Sequence, residues 1–183
     1  MAIAITLLVL EVRAPAHSLH LARDLARAWP SYLAYATSFL TIGIIWANHH
    51  RMFKIIERTT FAFLMINVLF LMVVAFIPFP TFLVAEYIRL DSGRRVALLV
   101  YGGTMTLTAI MFNLVWAYAS KGGRLLSASV DAESIRKGTR SYRKGPVLYL
   151  AITLLAFWEP YVSLALFMAY AVWWLFPSSG PGR

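Results

Sequence analysis

The side chains best able to do chemistry lie in one short stretch and at one distant position. Trp46, His49 and His50 end an uncharged run, and Asn67 is the one amide of the next apolar run. Adjacent histidines on a helix point about 100° apart, so they do not chelate one ion together. No acidic residue lies closer to them than Glu57. The pattern therefore predicts no metal site, no catalytic centre and no cofactor.

The composition indicates the environment in which these residues must work. The chain has 183 residues, of which 60% are hydrophobic and 14% charged. Soluble domains carry about 25% charged residues, so these values indicate a multi-span membrane protein. Cysteine is absent, which excludes disulfides and thiolate chemistry. The cations that give the net charge of +9 lie between apolar blocks. There they orient the helices and contact anionic lipid, so the charge does not indicate binding of nucleic acid.

The apolar blocks predict an all-α polytopic protein with six transmembrane helices. The predicted domain covers residues 1–177, and Pro and Gly residues make 178–183 a disordered tail. Glu159-Pro160 divides the last apolar block into a hairpin, and the stretch 121–144 is the longest polar connector. The six predicted helices are 1–12, 31–50, 61–85, 96–120, 146–158 and 160–176.

The distribution of cations predicts a cytoplasmic N-terminus. With that orientation, eleven of the 17 Lys and Arg residues lie in inner segments and six in outer segments. Inner loops are normally the more basic ones. The basic inner loops are expected to meet anionic lipid, although a merely solvated loop is the simpler interpretation of 121–144.

The first helix is too short to cross a bilayer. Ten uncharged residues precede Glu11 and rise roughly 15 Å, whereas the hydrocarbon layer is about 30 Å thick. Ile3, Leu7 and Leu10 form one helical stripe, with Thr6 beside it. By itself, such a stripe favours lipid contact or helix packing.

Four blocks of sequence resemble the bacterial members of the transmembrane protein 175 family, which are potassium-conducting channels. The blocks are Ala2 to Val12, Trp46 to Phe53, Asn67, and the Ile-Pro-Phe-Pro-Thr run from Ile77 to Thr81. The family has an Arg-x-x-x-Phe-Ser-Asp motif just before the first block, and this sequence begins after that position. We therefore expect a first helix that lacks its inner half.

The resemblance implies a homotetramer in the bacterial plasma membrane, with the first helices around a central pore. In the family, apolar side chains form the constriction instead of a carbonyl-lined filter. The corresponding residues are Ile3, Leu7 and Leu10, with the Thr6 hydroxyl nearby, and K⁺ is the permeant ion. Potassium sheds water more easily than sodium does, so a tight apolar ring is expected to select modestly for potassium.

The resemblance also implies a bracing role for the polar residues. Trp46 and His50 share a helical face, and polar groups in hydrocarbon need partners. Trp46, His49 and His50, with Asn67, are expected to bond to the Ser-Asp of the missing motif and to brace the first helix. Interface anchoring is the alternative for the tryptophan and the histidines.

Two other functions remain as alternatives. A secondary transporter or proton-coupled cation carrier would need a buried charge or repeats, and Glu159 at the predicted hairpin is the one acid within an apolar block. Flux that saturates and follows a proton gradient would favour it. A membrane enzyme would be indicated by activity lost on substituting His49 without loss of assembly.

Overall fold

The computed structural model describes residue 6, residues 8–12 and residues 19–174. Within these residues the fold is helical apart from one isolated antiparallel bridge, Ile56 to Leu126. A 3₁₀ turn covers Val9–Glu11. The α-helices that follow are α1 Leu21–Arg27, α2 Trp29–Lys54, α3 Phe61–Phe76, α4 Pro78–Tyr87, α5 Arg94–Ser120, α6 Ala132–Tyr142, α7 Lys144–Leu155 and α8 Pro160–Trp173.

Helix α5 is the centre of the packing. It contacts α3, α4, α6, α7 and α8, while α2 packs mainly on α4 and α8. Small residues on α5 allow the close approach of α7, because Gly102 lies directly against Thr153 and Phe167. The all-α architecture predicted from the apolar blocks is therefore confirmed in the described part of the chain.

The third apolar block is one helical run with a break. Pro78 and Pro80 cannot donate backbone hydrogen bonds, so the regular helix ends at Phe76 and α4 begins at Pro78. Ile77 keeps helical dihedral angles, and its N–H donates to the carbonyl of Val74 at 3.2 Å. The prolines therefore interrupt the regular helix at Ile77, and helical structure resumes at once in α4.

The helix bounds differ from the predicted ones where polar residues extend a span. Helix α2 runs on to Lys54, because a helix can continue into water beyond its apolar part. The polar stretch 121–144, for which the sequence predicts a connector, contains α6. Asp131 starts this helix by accepting hydrogen bonds from Ser134, and these bonds lower the pKa of the Asp131 carboxyl group. The predicted tail 178–183 lies outside the described residues.

Two helical runs are long and apolar enough to cross a membrane by length and composition, within the described residues. They are Phe61–Tyr87 and Arg94–Gly123, and Pro160–Trp173 is a shorter apolar helix. Many large apolar side chains on these helices are exposed in the single chain, among them Met72 at 61% and Phe76 at 50%. A surface of this kind needs lipid or protein around it.

Candidate functional site

The first segment of the chain, described at residue 6 and residues 8–12, packs on the rest of the chain through one face. Leu8 is completely buried and belongs to the core, and the 3₁₀ turn after it contacts α2 and α4. Leu10 is 69% exposed and Thr6 is also exposed. The described part therefore has a packed face and an open apolar face. Ile3 and Leu7 lie outside the described residues.

Two pairs of side chains form on different faces of α2: His49 with Asn67 of α3, and Trp46 with His50. The Nε2 atom of His49 lies 2.8 Å from Oδ1 of Asn67 on α3, and the His49 ring stacks on Phe53 and Phe70. Trp46 stacks on His50 at a ring-centroid distance of 5.7 Å, with Trp46 54% exposed. Because the hydrogen bond joins two helices, the His49–Asn67 pair ties α2 to α3.

A separate cluster of three hydroxyl side chains lies between α2, α4 and α5. The Oγ atom of Ser38 lies 2.7 Å from Oγ1 of Thr81 and 3.4 Å from the hydroxyl of Tyr101. Thr81 also donates to the carbonyl of Ile77 at the helix break. The sequence did not predict this cluster. Hydroxyl residues are common on membrane helices, and the spacing of residues within one helix does not show which residues of three different helices meet.

Replacing Asn67 with leucine tests the link between α2 and α3. The change leaves His49 without its interhelical partner, and such bonds in membranes contribute roughly 0.6–2 kcal/mol. We expect a lower unfolding midpoint in detergent. Asn48→Leu is the matched control, because the side chain of Asn48 donates to the Ile44 carbonyl of its own helix. Equal midpoints for the two variants would contradict a role for the interhelical bond.

Long apolar helices packed around α5, with exposed apolar faces, define a polytopic α-helical membrane protein. The family profile described as "Endosomal/lysosomal potassium channel TMEM175" matches residues 1–78. Together with the similarities below, this match establishes that the chain belongs to the TMEM175 family.

Two relatives and one solved structure cover most of the chain. A potassium channel of Chamaesiphon minutus is 42% identical, over 97% of this chain and 89% of its own length. A potassium channel of Streptomyces collinus is 40% identical, over 90% and 81%. The crystal structure of a lysosomal potassium-selective channel TMEM175 homolog from Chamaesiphon minutus superposes with a TM-score of 0.86, at 40% identity, over 95% of this chain and 89% of that one.

Proposed function

We propose that the chain is a subunit of a potassium channel in the bacterial plasma membrane, with a cytoplasmic N-terminus. The observation that carries the proposal is similarity over nearly the whole length to bacterial relatives named potassium channels. The solved homologue, whose fold is similar throughout, is described as potassium-selective. The proposal extends that activity to this chain.

We propose further that four copies assemble with their first segments around the ion path. The open face of the segment supports this arrangement, since Thr6 and Leu10 are exposed while Leu8 on the other face is buried. Four apolar stripes facing one axis would form rings that gate by dewetting and remove part of an ion's hydration shell. The ring residues are Ile3, Leu7 and Leu10, with Thr6 as an added hydroxyl.

We propose that two pairs of side chains hold the first segment indirectly: His49 with Asn67, and Trp46 with His50. Helix α2 contacts the 3₁₀ turn at Val9–Glu11, and α2 is in turn tied to α3 by the hydrogen bond. A change in the position of α2 would therefore move the segment proposed to line the ion path.

Cation flux from liposomes tests the channel function. The purified full chain is reconstituted into vesicles loaded with K⁺, and efflux is compared with that from Na⁺-loaded and protein-free vesicles. We expect efflux that rises linearly with the K⁺ gradient and is severalfold slower for Na⁺. Efflux that saturates and requires an imposed proton gradient would instead support a carrier.

A further inference from the structure

An apolar groove opens at the inner ends of four helices. It lies between α2, α5, α7 and α8, has a volume of about 90 Å³, and is lined by, among others, Ile44, Asn48, Ala109, Phe112, Gly145 and Trp174. We call this space the inner groove.

Helix α6 closes one end of the inner groove. The indole Nε1 of Trp116 donates to Oγ1 of Thr139 at 2.8 Å, and the amide of Asn113 donates to the carbonyl of Tyr142 at 3.0 Å. The ring of Tyr142 makes edge contacts with Phe112 and Trp116. These bonds attach α6 to the C-terminal half of α5.

Three arginines form a stripe along α6 and the residue after it. Arg136, Arg140 and Arg143 are spaced i, i+4 and i+7, all are exposed, and together they line a shallow depression. None of them has a carboxylate within ion-pair distance in the described residues, whereas the neighbouring Lys137 pairs with Glu133. We call these three residues the arginine stripe.

The arginine stripe and the inner groove share the same short segment of backbone. Ser141, Tyr142 and Gly145 line the groove, while Arg140 and Arg143 alternate with them along the chain. Consecutive Cα atoms are about 3.8 Å apart, so the backbone that carries Arg140 and Arg143 directly adjoins residues that line the groove. A ligand that fits both features needs an anionic head and an apolar chain.

We propose that an anionic phospholipid of the inner leaflet binds at this site. The part of one acyl chain nearest the headgroup lies along the inner groove, and the phosphate accepts hydrogen bonds from the arginine stripe. Guanidinium groups suit this role because they form paired, charge-assisted hydrogen bonds with phosphate. The absence of carboxylate partners leaves the stripe's charge for such a headgroup, and the apolar lining of the groove excludes a free phosphate as the complete ligand.

Binding of phosphatidylglycerol to the purified full chain, measured by native mass spectrometry against phosphatidylcholine, tests the headgroup contact. Arg136→Gln, Arg140→Gln and Arg143→Gln together are expected to weaken phosphatidylglycerol binding by about tenfold or more, since three charge-assisted bonds are lost. The control removes three other exposed inner cations, with Lys54→Gln, Arg58→Gln and Lys121→Gln, and should keep the preference. Equal losses in the two sets would overturn the proposal, because only general attraction would remain.

Chemical labelling inside the groove tests whether an acyl chain lies there, and it distinguishes that ligand from a neighbouring subunit. The chain has no cysteine, so Gly145→Cys introduces one thiol, and a side chain at this position meets only Ala109 at an ordinary distance of 3.8 Å. We expect a small maleimide to label the thiol quickly in phosphatidylcholine and severalfold more slowly in phosphatidylglycerol. Labelling that is blocked in both lipids, as a covering subunit would cause, or equally fast in both, would overturn the proposal.

A variant that fills the groove completes the test. Gly145→Leu places a larger side chain in the groove and should lose phosphatidylglycerol binding even though the arginine stripe is intact. Gly103→Leu, where an added Cβ meets nothing within 4 Å, serves as the control and should bind normally. Unchanged binding by Gly145→Leu would show that the acyl chain lies elsewhere. Because lipid binding is measured without ion flux, failure of this proposal leaves the channel proposal untouched.

Discussion

Gly102→Leu is expected to prevent stable folding of the chain. A side chain at this position of α5 would overlap the Oγ1 atom of Thr153 and lie 2.8 Å from its Cγ2 atom and 2.9 Å from Cζ of Phe167. Thr153 is itself held on α7 by its hydrogen bond to the carbonyl of Tyr149. Since both neighbours are buried, α5 and α7 would have to separate. Overpacking by smaller groups already costs about 1–3 kcal/mol.

The adjacent glycine provides the control for this prediction. An added Cβ at Gly103 meets nothing within 4 Å, although it lies in the same helix. Gly103→Leu should therefore unfold at the wild-type temperature or slightly above, because leucine favours the helix. Size-exclusion profiles and melting curves in detergent measure the difference. If both variants melted at the wild-type temperature, the close packing of α5 on α7 would be wrong.

Ile3→Asn is expected to remove most of the preference for potassium over sodium, and Leu10→Asn to reduce it. Both changes would replace a proposed apolar ring by amides that stay hydrated and can coordinate either ion. Leu10 is already 69% exposed, so its replacement should leave the subunit fold intact. Bi-ionic reversal potentials in planar bilayers measure the permeability ratio, which we expect to fall severalfold.

The control for the ring prediction lies on the outside of another helix. Leu154 of α7 is 47% exposed, and we expect Leu154→Asn to leave the permeability ratio unchanged. An unaltered ratio in both Ile3→Asn and Leu10→Asn channels would mean that the first segment does not border the ion path.

The sequence and the structure agree most closely where one local property decides the outcome. The Pro78 and Pro80 pair predicts a kink or an end of the span, and in the structure the regular helix is interrupted between α3 and α4, where Ile77 keeps helical dihedral angles. The pair Trp46 and His50, four residues apart, does share a face, and the two rings stack. Neither feature depends on a distant partner.

The arginine stripe shows where sequence reasoning stopped short. Its i, i+4, i+7 spacing is visible in the chain, yet the sequence predicts only a polar connector over residues 121–144. The structure starts α6 at the Asp131 cap and docks it through Trp116 and Asn113 of α5. These two residues are distant in sequence, so no local pattern could predict the docking.

Hydropathy, turn residues and motifs are local properties, so the amino-acid sequence alone identifies a helical membrane protein of the TMEM175 family. Helix packing, in contrast, determines that His49 of one helix meets Asn67 of the next, and that Leu8 is buried while Leu10 is exposed. It also decided that α2, α5, α7 and α8 leave a groove beside the arginine stripe. Each of these outcomes depends on how separate helices are rotated and packed, which the periodicity of a single helix does not specify.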